Sequence, residues 1–317
     1  MLYFRSLIIW SVVVALLGAP AKAVDLVGYL PYYRMGASYV NNTLPGQLEM
    51  LDEVRYFGLT VSNAGTIVPL SGSGSLATHT SNINTLKAKI AALPESQRPR
   101  LNITLGGAGE AANFAAVAAN PSLRDALAQN IASMLETHGA ASIDIDWEHP
   151  SGATQRNNYS LMVQRIKQEL GNDRRVYATM TPEIFMPVSA FQGANAIDGV
   201  DLMTYDLGWW GNDPGSPNTG EHSLPEYVND SLNAWTTAAG SPNQRPWVFP
   251  GWGNNTSAAF LGVGMPFYGR NISTGAAYTY SELVAGGTTS DGNYYTYLGQ
   301  TIWIPGPDLV EQRVKMA

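Results

Sequence analysis

The run Ala141–Pro150, ASIDIDWEHP, sets Asp144, Asp146 and Glu148 at alternate positions with Ile143, Ile145 and Trp147 between them. In an extended strand alternate side chains share a face, so three acids line one side and the apolar residues the other. Same-face neighbours stand roughly 6–7 Å apart, close enough for carboxylates to interact but not to pair. Three such charges in a poorly solvated interior repel one another, so at least one keeps its proton. Glu148 ends the run just before His149-Pro150 and is the acid best placed to donate to a leaving group. The pattern is therefore that of a general acid at a cavity mouth, tuned by carboxylates beneath it, with a titration that belongs to the cluster. Two other readings compete. The acids could be solvated on an edge strand, or they could ligate calcium or magnesium, although the run lacks the glycine and amide ligands of a calcium loop.

Elements able to position such a row recur along the chain. Strands are predicted at Asp25–Leu30, Val54–Leu59, Arg100–Leu105, Ser142–Glu148, Arg175–Met180, Val200–Tyr205 and Leu261–Phe267. Helices are predicted between them at 120–139, Ile83–Leu93, Tyr159–Leu170 and Leu224–Ala238. The first of these is the clearest. Asn120 caps it, Pro121 opens it, Leu123, Leu127, Ile131 and Leu135 form its stripe, and Gly139 ends it. Repeated strand–helix alternation implies α/β architecture with a parallel sheet, and at this length a (β/α)8 TIM-type barrel, with a doubly wound sheet as the alternative. In a barrel Ile143, Ile145 and Trp147 lie under helices while the acids point inward. Glu148 then stands at the C-terminal end, where barrel enzymes place their chemistry. Seven strands are visible, and after a last helix at Asp308–Ala317 an eighth is missing, so a C-terminally truncated or open barrel is expected.

Composition narrows the setting. The 317 residues are 45% hydrophobic and 14% charged, which supports a packed domain rather than disorder. Arg5, the apolar run Leu7–Leu17 and the small-residue triplet Ala21–Ala23 have the pattern of a secretory signal at 1–23, too short for a comfortable membrane span. Its removal leaves 16 basic against 25 acidic residues, a net charge of −9. Such a surface suits neither phosphate backbones nor anionic lipid, so nucleic acid and membrane surfaces are poor partners. Cysteine is absent, which removes disulfides and thiolate chemistry.

The row and four further motifs resemble family 18 glycoside hydrolases, the chitinase-type enzymes. SIDIDWEHP is similar to that family's D-G-x-D-x-D-x-E signature, with Ala141 and Ser142 in place of the first Asp and the Gly. TLGG (Thr104–Gly107) resembles S-x-G-G on strand three, MTYD (Met203–Asp206) M-x-Y-D on strand six, and GMPFYGR (Gly264–Arg270) G-x-P-F-Y-G-R on strand seven. GYLPYYR (Gly28–Arg34) looks like the family's first strand, so the resemblance runs in order from about residue 24 to 270. It implies a retaining, substrate-assisted hydrolase that needs one protein acid and no cofactor or metal. By resemblance Glu148 protonates the glycosidic oxygen, Asp146 orients the sugar's 2-acetamido group, Asp144 shares a proton behind it and Tyr205 donates to the acetamido oxygen. Tyr29, Phe57, Gly107, Trp147, Met203, Asp206, Trp209, Trp210, Tyr268 and Arg270 are the candidate substrate-binding residues. Loss of the first Asp is expected to remove the deepest charge of the row.

Several of these residues also admit plain structural readings. Tyr29, Phe57 and Tyr268 suit a core, the pair Gly106-Gly107 suits a turn as well as a close approach to sugar, and Arg270 suits a brace for an acid. Trp209-Trp210, Trp247 and Trp252 lie in loop-like stretches and could stack on sugar rings. No residue matches the tryptophan that the family carries on its eighth strand. Residues 271–317 read as a short insertion-like segment and a final helix, which points to an open cleft and to cutting inside chains. The leading reading is a secreted, monomeric endo-acting hydrolase of chitin and N-acetylglucosamine oligosaccharides. The alternatives are cleavage of N-glycan cores or peptidoglycan, and a non-catalytic chitin-binding barrel.

Overall fold

The computed structural model describes residues 11–15, 25–182, 188–191, 193–207, 222–236, 260–289 and 292–316. Within them a barrel is built from β1 (Ser11–Ala15), β2 (Asp25–Pro31), β3 (Glu53–Val61), β4 (Ile67–Pro69), β5 (Arg100–Ala108), β6 (Ser142–Glu148), β7 (Arg175–Met180), β8 (Gly199–Leu202) and β9 (Phe260–Pro266). Seven of these strands run parallel in the order β2-β3-β5-β6-β7-β8-β9. The short β4 hangs antiparallel on β3. No eighth parallel strand follows among the described residues. Its place is taken by β1, which pairs antiparallel with both β2 and β9. That strand lies within the apolar run read as a leader, so a chain cleaved after Ala23 would lose it and expose two strand edges.

Helices α1 (Ala37–Asn42), α2 (Leu44–Leu48), α3 (Leu76–Ala91), α4 (Ala111–Ala119), α5 (Pro121–His138), α6 (Gly152–Leu170) and α7 (Pro225–Thr236) connect the strands. Their apolar faces and the outer faces of the strands form one buried cluster that includes Leu86, Phe114, Ile131, Ile143, Ile145, Trp147, Tyr159 and Ile166. The α5 ends follow from local chemistry. Asn120 accepts the Ser122 N–H at 3.0 Å, and Gly139 stops the helix at φ 62°. Helix α3 begins seven residues before the predicted start, because Ser75 and Thr78 form a capping box ahead of a polar first turn. The alanine-rich α4 was not predicted, since its buried residues Phe114, Val117 and Ala118 have helical spacing but AANFAAVAA offers almost no polar residues to mark an opposite face.

Beyond the barrel, β10 (Tyr268–Asn271), β11 (Ala277–Thr279), α8 (Tyr280–Gly286), β12 (Thr288–Thr289), β13 (Tyr294–Tyr297) and β14 (Gln300–Trp303) form a small antiparallel sheet with one helix, followed by α9 (Pro307–Met316). Leu283, Ile302 and Ile304 make its own apolar centre.

Strand β6 is central, flanked by β5 and β7, which disposes of the edge-strand reading of the acids. Ala141 precedes β6 and is exposed, so the missing Asp takes no charge from the row, contrary to expectation. Close packing of β5 on β6 depends on Gly106 at φ 124°, where a Cβ would stand 2.0 Å from the Asp146 carbonyl oxygen. Gly106→Ala is expected to cost about 3 kcal/mol or more in a denaturant titration. Gly72→Ala, at φ 77° with open space around it, should cost only about 1 kcal/mol. Equal costs would contradict the packing account.

Candidate active site

A cleft of about 190 Å³ opens at the C-terminal end of the parallel strands, lined by Tyr29, Phe57, Asp146, Glu148, Met203 and Tyr205 among others. The row descends from it into the barrel. Glu148 keeps about a quarter of its side chain exposed, Asp146 is 8% exposed and Asp144 is fully buried. On the neighbouring strand β5, Gly106 stands in register with Asp146 and Thr104 with Asp144.

Each acid has a different environment. Asp144 accepts hydrogen bonds from Thr104 Oγ1 at 3.0 Å, Thr179 Oγ1 at 2.9 Å and Tyr29 Oη at 3.1 Å. Asp146 Oδ1 is buried with no hydrogen-bond partner among the described residues. Burial, then the charges of Glu148 and Asp144, push the Asp146 carboxyl well above the ordinary range. Glu148 is raised by burial and by the charge of Asp206. His149 Nε2 stands 3.7 Å from Glu148 Oε2, and burial lowers its affinity for a proton.

Asp206 is held on the opposite wall at φ 57°. Arg270 grips it in a bidentate pair at 2.8 and 2.6 Å, and His222 Nδ1 lies 3.2 Å away. Burial opposes its ionisation, but the hydrogen bonds and charges of His222 and Arg270 win and hold its carboxyl well below the usual range. Asp206 therefore stays anionic and keeps a fixed negative potential near Glu148.

Of the residues singled out by sequence, Tyr29, Phe57, Met203 and Tyr205 line the cleft with the two upper acids. Met203 and Tyr205 reach it because β8 ends at Leu202, three residues before the predicted end, and releases them from the sheet. Trp147 corrects the expectation: it is 1% exposed on the outer face, stacked on Phe114 at 5.9 Å and tilted against Tyr159 at 5.2 Å, so it cannot meet substrate. Gly107 is also a packing residue. A Cβ there would meet the Phe57 ring at 2.8 Å, so protein rather than sugar occupies that space. Tyr268 is buried, stacked on His222 at 5.0 Å and edge-on to Tyr205 at 6.1 Å, and supports the wall without lining the cleft. Arg270 takes the bracing role. Trp209, Trp210, Trp247 and Trp252 lie outside the described residues.

Sequence reasoning missed His222, Tyr33, Thr179, Asp201 and Arg55. Tyr33 lines the cleft, 54% exposed, and Thr179 and Asp201 line it from β7 and β8. The period-two count, from Tyr177 to Thr179 and from Met203 back to Asp201, could have placed these last two on inward faces. His222 carried no such signal. Among the described residues no group of three His, Cys, Asp or Glu is arranged to hold a metal ion. A larger groove of about 340 Å³ between α5 and α6 is far simpler, since its Arg165 already pairs with Asp125 at 2.6 Å.

The geometry agrees with sequence comparison. The family model for glycosyl hydrolases family 18 matches residues 29–303. The chain belongs to that family. Endochitinase 1 of Metarhizium anisopliae is 24% identical over 99% of this chain and 85% of its own length. Chitinase 1 of Aphanocladium album is 25% identical over 56% of this chain, which spans 43% of that protein. Among solved structures, the family 18 chitinase ChiB of Flavobacterium johnsoniae superposes with TM-score 0.66 at 20% identity, covering 93% of this chain and 84% of its own. A class V chitinase of Nicotiana tobaccum in complex with NAG4 superposes with TM-score 0.66 at 16% identity, covering 92% and 89%. Both share the barrel, and this family 18 member is a glycoside hydrolase of chitinase type.

The charge of Asp206 sets a test of the site. The carboxyl carbon of Glu148, followed by NMR, should titrate above the range of an exposed glutamate, and Asp206→Asn should move its midpoint down by removing a neighbouring negative charge. A midpoint that stays put or rises would contradict the assignment.

Proposed function

We propose that the chain is a secreted endo-acting hydrolase of β-1,4-linked N-acetylglucosamine polymers, working by retaining, substrate-assisted catalysis. The observation that carries this reading is the graded row: a half-buried Glu148 with a raised proton affinity above a buried Asp146 that has an unpartnered oxygen. Glu148 gives its proton to the glycosidic oxygen as the C1–O bond breaks. The acetamido carbonyl oxygen attacks C1 from the opposite face and forms an oxazolinium ion. Asp146 accepts from the acetamido N–H and faces the positive charge, while Tyr205 donates to the oxygen. Water, deprotonated by the Glu148 carboxylate, then adds at C1 as the oxazolinium C1–O bond breaks, which restores both the protonated acid and the acetamido group. A single protein acid suffices because the substrate supplies the nucleophile.

Support for polymer cleavage within chains comes from the small antiparallel sheet at 268–303, which adds little wall to the cleft. The names of the chitinase relatives support the substrate, and the apolar run at 7–17 supports export, with residues 1–23 removed as a signal. A monomer with no cofactor fits this chemistry, and the acidic surface disfavours nucleic acid and anionic membrane as partners. Among the described residues no helix is long and apolar enough to cross a membrane.

Glu148→Gln should reduce turnover of N-acetylglucosamine oligomers at least about a hundredfold while leaving their binding, measured calorimetrically, within a few-fold. Asp146→Asn should also lower kcat by orders of magnitude, because a carboxylate facing a developing cation stabilises it by several kcal/mol. Turnover by the Gln variant comparable to that of the parent chain would overturn the acid assignment.

A further inference from the structure

The proposed mechanism assigns no step to the small antiparallel sheet, yet that sheet packs directly behind Tyr205 and Asp206. Between them stands His222, fully buried, with Ser223 beside it buried as completely. The imidazole lies on the Tyr268 ring of β10 with centres 5.0 Å apart and meets the Trp303 ring of β14 edge-on at 5.3 Å. From that slot His222 and Ser223 reach the turn Thr204–Leu207, which has left the sheet after β8. The Asp206 N–H donates to His222 Nδ1 at 3.1 Å, and the Leu207 N–H donates to the His222 carbonyl at 2.9 Å. Ser223 Oγ donates to the Thr204 carbonyl, and Thr204 Oγ1 donates to the Gly264 carbonyl on β9 at 2.7 Å.

We propose that His222 is a positioning residue for hydrolysis: through Nδ1 it passes the packing of the small sheet to the turn Thr204–Leu207 and so sets where Tyr205 stands in the cleft. This rests on the proposed function for the role of Tyr205, while the bond itself can be measured without turnover. Backbone groups that leave a sheet need new partners, and this turn finds three of them in His222 and Ser223. The need is sharpest at Asp206, a residue other than glycine held at φ 57°. A ring nitrogen that receives an N–H offers a lone pair, so the imidazole proton sits on Nε2. A proton added at Nδ1 in acid would turn that nitrogen towards Asp206 Oδ1, 3.2 Å away, where its charge holds the carboxylate ionised. The backbone N–H would then lose this acceptor. Arg270 alone gives the carboxylate two bonds, whereas Nδ1 is what receives the backbone N–H. Tyr205 directly precedes Asp206 and its ring meets Tyr268 edge-on at 6.1 Å, so turn and slot locate it together.

The test is His222→Leu, which removes the acceptor, beside His222→Asn, whose side-chain oxygen can stand where Nδ1 does. Folding of each is checked by circular dichroism and denaturant midpoint. His222→Leu should lower kcat on N-acetylglucosamine oligomers about ten- to a hundredfold with KM within about threefold, and His222→Asn should bring kcat back to within about threefold of the parent chain. A cycle with Tyr205→Phe separates positioning from general support. If His222 acts by placing Tyr205, adding His222→Leu to Tyr205→Phe deepens the loss by no more than about twofold, whereas a merely structural role multiplies the two losses. Nitrogen-15 NMR of the parent chain at neutral pH should find the His222 proton on Nε2 and a coupling across the hydrogen bond from the Asp206 amide to Nδ1. A proton on Nδ1, multiplied losses in the cycle, or a folded His222→Leu variant with unchanged kcat overturns the proposal. Should His222→Leu fail to fold, the NMR result and His222→Asn decide it, and a folded Asn variant that loses about tenfold or more in kcat overturns it. Should the parent chain hydrolyse no such oligomer while the coupling is present, the functional reading falls and the hold of His222 on Asp206 stands.

Discussion

Burying anionic side chains inside a closed sheet is the constraint around which this molecule is organised. A carboxylate loses several kcal/mol of hydration in such a place unless donors or cations replace the water. The interior meets that cost in three ways. Asp144 is wrapped by hydroxyls, Glu53 and Asp201 share Arg55, and Asp146 binds a proton more tightly than an exposed carboxyl. Glu148 is the most exposed acid of the row in the cleft, and its proton is the one chemistry can use. The helices and strands exist, for function, to hold these environments apart at a spacing set by the strand pleat.

Much of this was legible in the sequence. A strand with period-two acids and β-branched partners between them has one possible orientation in a parallel barrel, and β6 matches its expected limits, Ser142–Glu148. The helix at 121–138 was legible because capping residues and apolar stripe agreed. Failures cluster where side chains serve other side chains. Trp147 belongs to a conspicuous motif yet points outward by strand parity. Tyr268, Arg270 and Gly107 sit in recognisable motifs, but their roles are to support Tyr205, Asp206 and Phe57. Arg55 and His222 were missed because nothing local marks an arginine or histidine whose partners lie up to 146 residues away.

The place where an eighth parallel strand is missing among the described residues is the other lesson. Barrel closure requires that the edges of β2 and β9 find partners. In this chain the partner is Ser11–Ala15 running the opposite way, from a segment whose composition also fits an export leader. An apolar, β-branched run of this kind satisfies both demands by composition alone, which is why period and polarity could not separate them.

The central claim is that burial and neighbouring negative charge raise the proton affinity of Asp146 and Glu148 above that of an exposed carboxyl. Isotope-edited infrared titration of the two side chains reads this directly. The account predicts that both take up their protons at higher pH than an exposed carboxyl does. Uptake at the pH of an exposed carboxyl, or below it, would contradict the account.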